Sequence, residues 1–397
     1  MNNSYKLILR ITLWIALIFL GIFVLLYGYI SLRYSFDYVY RELFMNLGTV
    51  YDYRVLPERK LDASPDPFLF NTDTSRDVLV QETFEINPNI PDLDAFLEET
   101  GTQAFLVIQD DTVIFERYFM DYQRDSIVTS YSVAKSFDSA LIGIAIQEGF
   151  INSVDDPITD YIPELLQRDP RFGEITIRHL LTMSSGLRYN DTRLFLPEDD
   201  NLTYAFNDLR HLALTESEIV EAPGNTFVYN NYNPLLLGLI LERSTAQPVT
   251  TYLQRKLWTP LGMENDGSWS LDSEKGSFEK MESGINATAI DFAKFGRLYL
   301  NGGNWNGKQI LPAEWVTDSI HDNGLIQDAP IYYGYMWWGE NCNPDSQDYF
   351  ALGNFGQFIY ISPAKNMIIV RNAEKYGLED EQVAWGEIFC QFAKAMP

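Results

Sequence analysis

The sequence predicts an α+β domain. Its antiparallel sheet is built from strands at both ends of the folded region, flanked by helices and interrupted by an inserted, mainly helical subdomain, with one apolar helix ahead of the domain. Three observations carry this. β-rich runs with turn signals occur early, in AFLVIQ and TVIFERYF, and again late, in YGYMWWG, DYFALGNFGQFIYI and NMIIVRN. Between them the chain alternates helix starts and stops, the order expected when two termini complete one sheet around a helical insertion. Residues 11–32, ITLWIALIFLGIFVLLYGYISL, carry no charged side chain.

At the usual helical rise those residues extend about 33 Å, enough to cross a bilayer. Trp14 near one end and Tyr27, Tyr29 and Tyr34 near the other match interfacial anchors. The run exceeds a signal-peptide core and lacks a small-x-small cleavage site, so a transmembrane anchor at 11–32 is expected behind a short tail at 1–10, with a cleaved signal as the other reading. Basic residues are balanced, Lys6 and Arg10 before and Arg33 and Arg41 after; the short tail favours N-in and a domain outside the cytoplasmic membrane. Residues 33–91 read as a juxtamembrane segment and linker. Tyr34 to Met45 continues as an amphipathic helix, and LPERKLDASPDPF, with Pro57, Pro65 and Pro67, reads as extended chain. The folded domain is expected over 92–397, opening with a hairpin across Asp110 and Asp111.

The stretch SYSVAKSFDSALIGIAIQEG, Ser130 to Gly149, is the centre around which the domain is organised. Val133, Phe137, Leu141 and Ala145 repeat every four residues and bury one helix face, and Gly149 supplies the stop. Ser132 and Lys135 fall three apart in the first turn, on one side of the helix. A serine at a helix N-terminus feels the positive end of the macrodipole, and a lysine in a dry pocket gives up its proton more readily. That pair suggests a nucleophile with its base, hence acyl transfer. Ser-x-x-Lys alone is unspecific, because it recurs at Ser277–Lys280, read as a solvated loop, and at Ser362–Lys365, read as two strands joined by a Pro turn.

Farther on, ITIRHLLTMSSGL forms a helix in which His179 has a packed role, and a long polar segment from Arg188 to His211 shapes a pocket rim. Asn233 and Pro234 fit a cap and first position for the helix through Ile240, with Tyr229, Asn230 and Asn231 just before it. Thr288 to Asp291 forms a capping box, and Pro312 opens another helix. Of the aromatics Tyr332, Tyr333, Tyr335, Trp337 and Trp338, most are expected in the core. A final amphipathic helix is expected around Asp380 to Ala395.

A net charge of −26 excludes the basic footprint that nucleic acid requires, so no nucleic-acid partner is expected. The two cysteines, Cys342 and Cys390, fit no metal or redox spacing, and whether they pair is open. No ligand cluster is evident, and no metal or cofactor is expected. Only three histidines are present and no G-x-S-x-G elbow, which argues against a Ser-His-Asp route on an α/β-hydrolase fold.

SVAK on a helix, Tyr-Asn-Asn after a Pro-Gly turn, and a late glycine-bearing strand resemble the serine β-lactamase and penicillin-binding superfamily, in its class C-like branch. Longer stretches, PGNTFVYNNYNPLLLGLILE, LWTPLGME, INATAIDFAKFGRLYLNGG and GQFIYISPAKNMIIV, are similar to aminohexanoate-dimer (nylon oligomer) hydrolases and related esterases. The resemblance implies a β-lactamase/transpeptidase-like fold with Ser132 as nucleophile, Lys135 as its proton acceptor, and Tyr229 as the second acid/base group. It also implies Asn231 as a group orienting Lys135 or substrate, with Gly353 and Asn354 at the substrate strand and the Asn354 and Ser132 N–H groups as an oxyanion hole. Asn286 would reach the site or serve a turn. Tyr299-Leu300-Asn301 repeats Tyr-x-Asn but reads as a helix end. Where that family carries Lys-Thr-Gly the matching stretch here is Ala351-Leu352-Gly353-Asn354, which removes the cation that recognises a carboxylate and argues against a true β-lactamase. The expected activity is a membrane-anchored serine hydrolase cleaving a small ester or amide. The alternatives are a penicillin-recognising sensor or pseudoenzyme, and an acyltransferase.

Overall fold

The computed structural model describes residues 3–45, 47–190, 197–327, 329–343, 346–378 and 383–397. Helix α1 (Asn3–Arg33) holds the uncharged run and is long and apolar enough to be a membrane span or a signal sequence. A short α2 (Phe36–Tyr40) and one π turn, Arg41–Met45, follow at once.

The strands, in chain order, are β1 (Glu58–Leu61), β2 (Asn71–Thr72), β3 (Thr102–Gln109), β4 (Thr112–Tyr118), β5 (Val128–Thr129), β6 (Gly267–Ser270), β7 (Ile285–Ala287), β8 (Asn304–Trp305), β9 (Lys308–Gln309), β10 (Ile331–Tyr333), β11 (Trp338–Asn343), β12 (Ser346–Gly353), β13 (Gln357–Ser362) and β14 (Met367–Ala373). The main sheet runs β10-β11-β12-β13-β14-β3-β4-β2, so its middle joins the last strand to the first long one, Phe105 opposite Arg371. Every pairing in it is antiparallel except β2 with β4. Alternate side chains on β3 enter two cores, Leu106 and Ile108 on one face, Phe105 and Val107 on the other, as the two-residue pleat requires. Helices α3 (Asp77–Phe84) and α4 (Leu93–Glu99) cover the second face together with the C-terminal helix Val383–Ala395. Helix α5 (Ala134–Gln147) and the helices Tyr232–Thr245 and Ala289–Leu300 fill the first.

A smaller sheet, β1-β6-β7-β5, ends at the chain segment leading into α5. It corrects one expectation. The stretch read as a linker is woven into the domain: Glu58 pairs with Ser270 and Leu61 with Gly267, β2 extends the main sheet, and Phe84 stacks on Phe392 at 3.8 Å. Prolines at 57, 65 and 67 bracket the strand rather than abolish it. A second correction concerns Ser277 and Lys280, which do not sit in a solvated loop. Lys280 is buried, paired with Glu282 at 2.8 Å and seated 4.2 Å from the Tyr204 ring centre.

Candidate active site

The site starts where β5 ends. The Ser130 N–H donates to the Ile285 carbonyl at 2.8 Å, and the Ile285 N–H donates to Ser130 Oγ at 3.1 Å, which ties the chain to β7. Tyr131 then takes φ +43°, a left-handed conformation that costs a bulky residue of order 1–3 kcal/mol. Its ring stacks on Tyr204 at 6.1 Å and meets Phe355 edge-on at 5.1 Å, contacts that hold the strained turn. The turn delivers Ser132 into the single 3-10 turn Tyr131–Val133 that opens α5.

One turn on, Lys135 is buried and its Nζ donates to Ser132 Oγ at 2.8 Å and to the Glu282 carbonyl at 2.8 Å. Its third neighbour is the face of Tyr229, 5.0 Å from Nζ to ring centre. The Tyr229 ring is itself fixed between Trp338, stacked at 5.8 Å, and Tyr333, edge-on at 6.1 Å. Among the described residues no carboxylate pairs with Lys135. Asp138, three residues further along α5, has both oxygens buried with no hydrogen-bond partner among the described residues, and burial pushes its carboxyl well above the usual range despite the opposing pull of Lys135.

The facing wall is the end of β12. A Cβ on Gly353 would lie 2.4 Å from the Ser130 carbonyl and 3.0 Å from the Ser132 nitrogen, so only glycine lets this strand approach the serine. Asn354 follows, and Phe355 at φ +64° and Gly356 at φ +81° turn the chain into β13. Arg371, fully buried on β14, braces that turn by donating to the Gly356 carbonyl at 2.9 Å and to the Thr100 carbonyl at 2.9 Å.

Two cavities of about 340 and 280 Å³ meet at Ser132. Tyr229, Asn231, Gly353 and Asn354 line the first; Asn231 and Asn354 line the second as well. The structure therefore brings all six expected site residues together. Among the described residues, however, Asn231 makes no hydrogen bond to Lys135: its amide donates to the Tyr189 hydroxyl at 2.7 Å, and its buried Oδ1 accepts none. Asn286 is not in the site, since its amide bonds Ser268 and Ser270 across the small sheet. Trp338 lines the larger cavity while Tyr332, Tyr333, Tyr335 and Trp337 are core.

Sequence reasoning missed Tyr189, Asp200 and Tyr204, which all lie in the polar stretch read as a rim. Tyr189 donates to Asp200 Oδ1 at 2.9 Å, and Asp200 lines both cavities. Residues 191–196 of that stretch lie outside the described residues. No lysine or arginine stands among the described lining residues of either cavity. Among the described residues no group of three or more His, Cys, Asp or Glu side chains is placed to hold a metal ion. His179 caps its own helix through Thr176, burial lowering its pKa. Ser362 donates to Asp348 while Lys365 donates to the Met396 carbonyl, so that pair is not a second site.

Known proteins are similar to this chain in sequence and in fold. The chain is 27% identical over 311 residues to the 6-aminohexanoate-dimer hydrolase of Paenarthrobacter ureafaciens, covering 71% of this chain and 75% of that protein. A solved Bacillus anthracis protein described as a putative 6-aminohexanoate-dimer hydrolase superposes with a TM-score of 0.73 at 24% identity, over 89% of this chain and 94% of the other. The D-stereospecific amidohydrolase of a Streptomyces species gives 0.58 at 16% identity over 80% and 99%, which shows a shared fold. The Beta-lactamase family model matches residues 93–391, the span that carries the main sheet apart from β2, the Ser132–Lys135 turn and the Gly353 strand, and the chain belongs to the beta-lactamase family.

Proposed function

We propose that this chain is a membrane-anchored serine hydrolase that cleaves an ester or amide through an acyl-enzyme on Ser132. The observation that carries the reading is the buried Lys135 Nζ, 2.8 Å from Ser132 Oγ at the meeting point of two cavities. In the acylation step Ser132 Oγ attacks the substrate carbonyl carbon and its proton passes to Lys135 Nζ. The developing oxyanion is received by the N–H groups of Ser132 and Asn354, the first of them free of a helical acceptor because it opens the helix. Collapse breaks the bond to the leaving group, which takes a proton from Tyr229. Water then attacks the acyl carbonyl and gives a proton to the Tyr229 phenolate, the bond from the acyl carbon to Ser132 Oγ breaks, and Lys135 returns its proton to Oγ.

The lining supports a substrate class. With Asp200 facing both cavities, Glu42 on one, and no cation among the described lining, a substrate carrying an amine is favoured over one carrying a carboxylate. Cys390 is disulfide-bonded, a state found mainly outside the cytoplasm, which supports an extracytoplasmic domain behind α1.

The test uses the full-length chain in detergent micelles. A fluorophosphonate is expected to add one adduct to the wild type and none to Ser132→Ala, and ester turnover is expected to drop at least ~10⁴-fold in that variant. Tyr229→Phe should lower kcat ~10²-fold or more. Asp200→Asn should raise KM roughly tenfold for an amine-bearing amide and leave a neutral ester unchanged. A folded wild type that takes no adduct would remove the hydrolase reading.

A further inference from the structure

The segment between α1 and β1 has two faces, and both carry something the catalytic reading leaves unused. On the outside, Phe36, Tyr40 and Phe44 repeat at helical spacing and are 73%, 49% and 72% exposed, with the Tyr40 and Phe44 rings stacked at 5.5 Å. On the inside, Tyr38 packs on Phe206 and Arg41 donates to the Ala205 carbonyl, which fixes the segment to the domain. The residues just beyond, Glu42, Leu47 and Gly48, form a wall of the smaller cavity beside Ser132. The connection to the nucleophile is direct: Gly48 N–H and the Tyr204 hydroxyl both donate to Asp52 Oδ2, and Tyr204 stacks on Tyr131.

The continuity of the chain identifies the cover of this aromatic stripe. Helix α1 has none of its most apolar stretch buried in the protein, and Leu32, one residue before its end, is 91% exposed. From Arg33 to Phe36 the chain can travel only about 10 Å, less than the depth of a headgroup region plus one turn of helix. Aromatic side chains that close to a span belong at the lipid–water boundary.

We infer that Phe36, Tyr40 and Phe44 lie in the bilayer interface, that the cavity beside Ser132 therefore opens at the membrane surface, and that the substrate is an amphiphile, a long-chain acyl ester or amide drawn from that surface. The inference rests on the membrane-anchored hydrolase reading above. It puts Glu42, Leu47 and Gly48, on the inner side of the segment, at the substrate site, leaves the outward aromatics to the lipid boundary alone, and lets the polar, amine-bearing end of the amphiphile meet Asp200 and Glu42.

The experiment reconstitutes the full chain in phosphatidylcholine vesicles, with the photoreactive benzoylphenylalanine placed in turn at Ile18, Phe44 and Ile86. Irradiation is expected to give lipid-mass adducts at 18 and 44 and none at 86. In parallel, Phe36→Ser with Phe44→Ser is expected to slow hydrolysis of a vesicle-borne nitrophenyl palmitate about tenfold and leave nitrophenyl acetate unchanged. Lipid adducts at 18 but not 44 would overturn the inference while the anchor stands, and a protein–protein adduct at 44 would overturn it in favour of a second copy. No lipid adduct at 18 would fail the anchor and the inference together, with fluorophosphonate labelling of Ser132 reporting the hydrolase reading separately. Equal slowing of both esters, or of neither, would overturn the amphiphile.

Discussion

Glu340 on β11 is buried, and among the described residues one of its carboxylate oxygens meets no donor. Burial, reinforced by Glu387 and Asp348 against the weaker pull of Lys394, pushes its pKa up to about 7 from an ordinary 4.5. Between those values the folded chain holds a proton that the unfolded chain has lost, so this group's contribution to stability falls as pH rises through the window. Above it the full cost, on the order of 3 kcal/mol, remains. Glu340→Gln is expected to raise the urea midpoint at about pH 8 and leave it unchanged at about pH 4, a difference that paired denaturation curves would read. The residues at the reaction centre are more legible in the sequence than this one. Ser132 and Lys135 are three apart in a helical pattern, so local periodicity alone puts them side by side. Tyr189, Asp200 and Asn231 meet across separate segments, and neither spacing nor composition brings them together. Lys280 escapes a local reading for the same reason, because the ring and carbonyl that receive it belong to Tyr204.

The turn joining β12 to β13 depends on a side chain from β14. Among the described residues Arg371 has no carboxylate partner; it is held by the carbonyls of Gly356, Thr100 and Lys375 and by Thr102 Oγ1, with Trp385 3.9 Å from its guanidinium. Arg371→Met strands those carbonyls and is expected to cost on the order of 3 kcal/mol, measured by urea unfolding, and to lower kcat by loosening Asn354. Arg371→Lys should recover part of both. Most elements are readable from pattern: the hairpin of β3 and β4, the strands β12 to β14, the Thr288 cap and the long α5 all fall where periodicity puts them. The helix containing Pro234 differs slightly, since it begins at Tyr232 with Asn231 at its cap position, while Asn233 Oδ1 accepts from Ser185 instead. β1 is not readable, because its partner β6 lies about two hundred residues on and a four-residue strand among prolines has no local signature.

For the whole molecule, that pairing sets where the chain can be cut. Removing residues 1–33 deletes α1, the Arg33–Glu216 ion pair and, at the margin of the first core, Ile30 with Leu26 and Tyr27, but leaves the main and the smaller sheet and the second core whole. Starting at residue 92 instead removes β1, β2 and α3, opens an edge of each sheet, and uncovers Phe392 and Phe105 where Phe84 packs on them. The shorter chain is expected to be insoluble or to lack a cooperative thermal transition, whereas a chain beginning at Tyr34 should unfold in one step; circular dichroism on both decides it.

Synthesis meets these pairings in a fixed order. The Ser132 turn is made early, but Asn354 and the Arg371 brace come roughly 220 residues later, a delay of ~10–45 s at the usual rates of translation. Throughout that interval the exposed edge of β3 waits for β14, encoded near the other end of the message, while β1 waits for β6, about two-thirds of the way along. On the proposed reading, activity therefore switches on only after nearly the whole chain has been made, so a nascent or prematurely terminated chain would carry Ser132 and Lys135 without the Gly353 wall that completes the candidate site.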